Sequence, residues 1–327
     1  MEKEKMKDIR ELFLVYGIQM PRRFSRREKD LYINQASHEF KDAGYSAHAL
    51  AGKVQRVCTI DLVAGDLKNA DTIIIANYDT PTHNFGNPFV YYPLNGPSSV
   101  KASVLPYYTP FLISIIIAVF VMYTYGGKID FTNAFGVSMV ILLLLIVCFA
   151  LGVILSVAVG NKVNMDRNTS GVVAAMRIAS LLDEAKDHTA FVLTDYGCTR
   201  HTGEEVVRRE IPDTIDHKQV IYFDCVGNGD QTVVACRKGH EREAHELANA
   251  IGDTEVEVLD ESSVKYLNYS YYPNGFLVTR GTWNKDSHTV SIPDTATKKD
   301  INVDPDTVET MCQNIASYLN KQAKKKG

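Results

Sequence analysis

Two long stretches without charge interrupt an otherwise regular alternation of apolar and polar positions. Residues 102–127 and 131–161 contain no Asp, Glu, Lys or Arg. A helix needs about 20 apolar residues to cross the hydrocarbon core of a bilayer. The second stretch meets that length easily through the run VILLLLIVCFALGVILSVAVG at 140–160. The first meets it only when counted from Leu105. Neither keeps the polar stripe of a helix lying on a soluble domain. The pattern predicts a transmembrane helical hairpin over 101–161, turning at Gly126-Gly127-Lys128-Ile129-Asp130.

Outside this insertion the periods alternate between helix and strand. Residues 5–17 and 24–42 have helical spacing, the latter ending before Gly44. Residues 54–63 and 71–79 are β-branched and strand-like. After the hairpin, Ser170-Gly171-Val172 opens a helix, and 189–195 reads as a strand. A polar helix near 202–209, strands at 218–226 and 232–237, and the helix EREAHELANAI follow. A strand at 275–281 and a helix over 305–322 complete the chain. Such alternation implies an α/β fold, a mostly parallel mixed sheet flanked by helices, with ligands at the C-terminal strand ends. The organisation expected is a first part of this domain at 1–100, the hairpin insertion at 101–161, and the remainder at 162–327.

Composition narrows the function classes. A net charge of -4 with 23% charged residues gives no basic field, and no basic-aromatic motif is present, so a nucleic-acid partner is not expected. Six Cys in 327 residues are too sparse for a disulfide scaffold. The charged start, Met1-Glu2-Lys3-Glu4-Lys5, lacks the apolar segment of a signal peptide. Lys101, Lys162 and Arg167 flank the hairpin on one side against Lys128 in its turn. By the positive-inside bias, the soluble segments and both termini are expected in the cytoplasm of an integral, two-span protein.

Four short segments carry candidate chemistry. They are Ala76-Asn77-Tyr78-Asp79-Thr80, Asp166-Arg167-Asn168-Thr169-Ser170-Gly171, Asp195-Tyr196-Gly197-Cys198 and Asp224-Cys225-Val226-Gly227. In this order and on these elements they resemble the motifs of the zinc aminopeptidase family, which includes glutaminyl cyclases and transferrin receptor-like ectodomains. A last motif of that family resembles Ser291-Ile292-Pro293-Asp294-Thr295. The resemblance implies a dinuclear zinc site at the strand ends, with two His, a bridging Asp, a Glu and an Asp as ligands, and a second Glu as base.

At those positions the sequence departs from the family. Asn77 stands for the first His, Arg167 for the bridging Asp and Ser291 for the last His. Gly197 and Cys198 stand for the base and its ligand neighbour, and Asp224 alone is clearly retained. Zinc needs N, O or S donors at about 2.0–2.3 Å, and a permanent cation at 167 opposes it. The expectation is a pocket of Asp79, Asp195 and Asp224 in which Arg167 pairs with Asp224 in place of a metal. No cofactor is then required.

The function expected is a membrane-anchored, catalytically inactive pseudo-peptidase that binds a peptide, an amphiphile or a membrane-protein partner. The alternative is an active metallo-exopeptidase or amide hydrolase with an atypical zinc site around Asp224, Asp166 and His288. A third class is a structural subunit of a membrane complex. Cys198 with His201 offers a thiol and a base in sequence only. His240 and His245, five residues apart, diverge on a helix and form no zinc motif.

Overall fold

The computed structural model describes residues 7–84, 89–125, 134–157 and 159–326. Ten strands form one mixed sheet: β1 (Ala47–Val54), β2 (Val57–Ala64), β3 (Thr72–Asn77), β4 (Val90–Tyr91), β5 (Thr189–Thr194), β6 (Gln219–Phe223), β7 (Gln231–Arg237), β8 (Thr254–Leu259), β9 (Gly275–Asn284) and β10 (Thr289–Pro293). Their spatial order is β1-β2-β5-β3-β6-β9-β10-β4, with β7 joining β9 to β8. The centre is parallel: β3 lies between β5 and β6, and β6 pairs with β9. The flanking pairs β1–β2, β2–β5 and β7–β9 are antiparallel, while β8 at the edge runs parallel to β7.

The centre has this form because its strands are apolar on both faces. Every residue of β3 (TIIIAN) and β5 (TAFVLT) is buried, as expected for parallel strands covered by helices on each side. One face packs on α1 (Ile9–Phe13), α2 (Arg26–Asp42), α5 (Ser170–Leu181), α7 (Glu241–Ile251) and α9 (Pro305–Lys326). The other packs on α6 (Thr202–Glu210) and the segment 264–272, which follows the short helix α8 (Glu261–Val264).

The strand expected at 54–63 is instead two. Gln55 and Arg56 both adopt positive φ, 44° and 70°, and close a two-residue hairpin between β1 and β2 with Val54 opposite Val57. Nothing in the composition of Gln-Arg announces such a turn, which usually carries Gly or Asn. Strands β8 and β10 were also not anticipated: β8 is an edge strand whose residues are mostly half-exposed, so its apolar period is weak. The helix expected at 5–17 is α1 followed by a π-helical turn at Leu14–Gln19.

The uncharged segments form α3 (Gly96–Tyr125) and α4 (Ala134–Val157), packed against each other. Phe111 rests 6.0 Å from Phe149 and against Gly152. Their outward surface is apolar: Ile116, Phe120 and Phe149 are each 66% exposed, and Leu143 is 63% exposed. Among the described residues no helix is long and apolar enough to cross a membrane, so the membrane-spanning character expected of this hairpin is not seen. The expected turn at 126–130 lies outside the described residues.

Both ends of the insertion return to the C-terminal strand ends. On one side stands β4, which pairs with β10 through Ile292–Tyr91. On the other, His83 N donates to Val159 O (2.8 Å), Asn161 N donates to Pro81 O (2.9 Å), and Asn164 Nδ2 donates to Asp79 O (3.1 Å).

Candidate functional site

Three strands end side by side and deliver the motif residues to one place. β3 runs into Tyr78-Asp79-Thr80, β5 into Asp195–Cys198, and β6 into Asp224–Gly227. The chain then turns sharply: Tyr196 (φ 57°) and Cys225 (φ 54°) adopt the left-handed region that non-glycine residues rarely occupy. A π-helical turn at Met165–Thr169 leads into α5 and brings Arg167 over the end of β6. Asp300 fixes this turn by accepting Asp166 N (2.8 Å) and Arg167 N (3.4 Å).

Arg167 is buried and its Nη1 donates to Asp224 Oδ1. The Tyr91 hydroxyl donates to the other oxygen of the same carboxylate at 2.6 Å. The Tyr91 ring lies beneath the guanidinium, 3.8 Å from its carbon. Burial opposes the charge of Arg167, but Asp224 and Tyr91 outweigh it and hold the guanidinium firmly cationic. Tyr91, on a two-residue strand at the foot of the hairpin, had no signal in the sequence.

A second buried cation, Lys29, stands close by. Lys29 sits in the polar-looking helix α2, yet its Nζ donates to Asp195 Oδ1 at 2.5 Å and lies 3.6 Å from the centre of the Tyr196 ring. Burial lowers its pKa, while Asp195 and Asp79 raise it by more. Asp79 is buried between these groups and takes the Cys198 N–H at 3.2 Å. Burial raises its carboxyl, and Lys29 and Arg167 partly offset this. A third cation, Arg23, is fully buried and donates to the carbonyls of Tyr78, Tyr16, Met20 and Pro21 and to Thr169 Oγ1. It ties the N-terminal segment to the site.

The side chains present do not suit a dinuclear zinc centre. Where the resemblance implies a bridging carboxylate stands a guanidinium, and it takes Asp224, the implied ligand that the sequence keeps. Asn77 Oδ1 is engaged by Thr194 Oγ1 at 2.6 Å. A Cβ on Gly197 would lie 2.0 Å from Asn77 Cγ, so no glutamate base fits there with Asn77 in place. Burial pushes the Cys198 thiol far above its ordinary range, and Asn168 Nδ2 donates to its sulfur at 3.1 Å. A neutral thiol is a poor ligand and a poor nucleophile.

Some expected residues are not brought to the site. His288 is exposed in the β9–β10 turn and pairs with Glu257 at 2.9 Å. Ser291 lies on β10 opposite Thr282. The grouping of Asp224, Asp166 and His288 is therefore not formed: Asp166 is buried beside Gly227, whose N–H it accepts at 2.8 Å. Among the described residues no group of three His, Cys, Asp or Glu is placed to hold a metal. Cys198 meets Asn168 rather than His201, whose ring packs 6.4 Å from Tyr271. His245 is exposed on α7.

Burial raises the pKa of several carboxyls in this region. Asp195 is pushed up to about 6, Asp300 to about 7 and Glu204 to about 8. An acid whose folded pKa is raised costs stability as it ionises, so the folded state gains nothing from rising pH. Thermal stability is expected to fall as pH climbs from about 4.5, the ordinary Glu value, to about 8. Calorimetry across that window measures it, and a melting temperature that rises toward pH 8 contradicts it.

No family model and no curated protein matches this chain. Solved structures do resemble it. A glutaminyl cyclase of Tannerella forsythia superposes with a TM-score of 0.57 at 11% identity, covering 95% of each chain. A Zn-dependent exopeptidase of Parabacteroides distasonis gives 0.56 at 11% identity, covering 96% of this chain and 99% of that one. A leucine aminopeptidase precursor of Bacteroides thetaiotaomicron gives 0.53 at 11% identity, covering 96% and 97%. With its mixed sheet, flanking helices and motif order, the chain has the fold of the zinc aminopeptidases and glutaminyl cyclases.

Proposed function

We propose that this chain is a membrane-anchored protein of peptidase fold that binds rather than cleaves, taking a peptide, an amphiphile or a membrane-protein partner at the bilayer surface. The observation that carries the loss of catalysis is the buried ion pair of Arg167 with Asp224, where the resemblance implies a carboxylate between two metals. Closely spaced metal ions need an anionic bridge, and a guanidinium there repels them. The structural neighbours named as exopeptidase and aminopeptidase favour the alternative of a metal-dependent hydrolase; the donor set counts against it. Elemental analysis decides. The purified protein is expected to hold well under one zinc per chain, and a chelator should leave its melting temperature unchanged, because only a bound ion stabilises by mass action. Two tightly held zincs per chain, with a melting temperature that drops on chelation, would overturn the proposal.

The exposed apolar surface of α3 and α4, together with the uncharged run at 140–160, supports anchoring in a bilayer. Lys101, Lys162 and Arg167 against Lys128 support the cytoplasmic side for the α/β domain. A reporter active only outside the cytoplasm should function when inserted at Lys128 and fail at the C-terminus. The opposite pattern reverses the orientation, and a chain that stays in the supernatant after membrane sedimentation removes the anchor.

A further inference from the structure

The α/β domain meets the feet of α3 and α4 with a face that carries cations. Lys101 stands exposed in the second turn of α3, and Lys162 stands exposed shortly after α4. Gly96 opens α3 against the segment that follows α8: a Cβ on it would lie 2.1 Å from Lys265 O. Lys265 and Tyr266 are thus held at the foot of that helix, both exposed, the ammonium 5.1 Å from the centre of the Tyr266 ring. On the other side, Asn161 Nδ2 donates to Thr297 O at 2.8 Å, which brings the exposed Lys298 and Lys299 to the foot of α4. Gly160 packs directly on the Phe24 ring, and the exposed Arg22 stands next to that contact in the chain.

Carboxylates on this face are fewer and mostly engaged. Glu28 pairs with Arg22 at 3.4 Å, and Glu261 reaches toward Arg237 at 3.7 Å. Asp300 is buried under the Asp166 and Arg167 N–H groups. Asp294 is the half-exposed exception. Among the described residues none of the five lysines enters an ion pair. The cations are therefore in excess where the domain joins the apolar helices, and the apolar surface continues from them: Ile116 and Phe120, further along α3 from Lys101, are each 66% exposed.

We propose, resting on the reading of α3 and α4 as a bilayer anchor, that this collar of lysines binds the headgroups of anionic phospholipids. With the helices in hydrocarbon, residues at their feet lie at headgroup depth. Lys and Arg are attracted there to a negative lipid surface, and an exposed tyrosine such as Tyr266 favours the same depth. Flexible lysine stems let each ammonium reach a phosphate while the backbone stays fixed. The occupant follows from having both surfaces side by side. A bilayer with anionic lipid matches the cations and the apolar helices together, whereas a soluble anion matches the cations alone and leaves the helices uncovered.

The test uses the full chain reconstituted in phosphatidylcholine vesicles with lipid spin-labelled on its acyl chain, where electron paramagnetic resonance reads the fraction of lipid immobilised by the protein. Labelled phosphatidylglycerol should be preferred over labelled phosphatidylcholine by about fivefold at low salt, the weight of a single cation at an anionic surface. The preference should fade in about 1 M salt, where the screening length is about 3 Å. Lys101→Gln, Lys162→Gln, Lys265→Gln, Lys298→Gln and Lys299→Gln together should abolish it and leave immobilised phosphatidylcholine unchanged. Lys321→Gln, Lys324→Gln and Lys325→Gln at the end of α9 should keep it. Should the first variant fail to fold, Lys298→Gln with Lys299→Gln serves, with a preference smaller than that of the unmodified chain. Both lipids immobilised equally by the unmodified chain would overturn the collar and leave the anchor standing. A preference that survives the collar changes, or is lost with the α9 lysines, would overturn the collar as well. No immobilised lipid of either kind would overturn the anchor and the collar with it.

Discussion

Replacing Arg167 by alanine should lower the unfolding free energy by about 3–5 kcal/mol, the cost of stripping one partner from a buried ion pair. A surface pair would cost about 0–1 kcal/mol, so the size of the change is itself informative. The geometry places Arg167 in the first class: it is 7% exposed, Asp224 is 5% exposed, and the Tyr91 ring closes the remaining face. Without the guanidinium, Asp224 keeps, among the described residues, only the Tyr91 hydroxyl and the weak Cys225 thiol as donors. Asp224→Asn in the Arg167→Ala background should therefore recover much of the loss, because it removes the unpaired charge. A double-mutant cycle by urea unfolding in detergent measures the coupling. Strictly additive effects would show that the two side chains touch without stabilising one another.

Lys29→Met should be nearly as damaging, at about 3–5 kcal/mol near pH 8. Methionine keeps the length of the side chain and its contact with Tyr196, so the loss isolates the charge. Lys29 faces two buried carboxylates, Asp195 directly and Asp79 through space. Even with Lys29 present, burial holds the Asp195 carboxyl up to about 6. Removing the amine takes away the influence that lowers it, so the folded-state pKa rises further. The sign follows from linkage: the stability lost to an unpaired, ionised Asp195 is recovered as pH falls and the carboxyl protonates. The defect should shrink markedly from pH 8 to pH 5 and be small in Lys29→Met with Asp195→Asn. A defect of equal size at both pH values would point to lost packing instead.

The contrast between these two cations shows what a sequence reveals. Arg167 was legible because it stands inside a motif, three residues before Ser170-Gly171, where its charge is out of place. Lys29 was not, because Arg26-Arg27-Glu28-Lys29-Asp30 reads as the solvated face of a helix. Its burial follows from α2 packing over β2 and α5, a tertiary fact with no local trace. The central strands were legible for the opposite reason: β3 and β5 are apolar at every position, and no other environment suits them. Tyr91 and Asp300 reach the site from β4 and from the loop before α9, where neither period nor motif marks them. Ser291 and His288 were candidates by alignment alone: His288 pairs with Glu257 in the β9–β10 turn, and Ser291 lies on β10 opposite Thr282.

The fit of Asn77 against Gly197 has a consequence for descent. Restoring a glutamate at 197 is sterically blocked while asparagine occupies 77, since the new Cβ would lie 2.0 Å from its Cγ. Histidine at 77 is bulkier and presses on the same glycine. Aspartate at 167 deletes the charge that Asp224 relies on and adds a carboxylate beside it. Each of these three changes, made alone, thus passes through a less stable protein than the one it starts from. Positions 77, 197 and 167 are therefore coupled, and a metal-binding set of side chains would require changing them together.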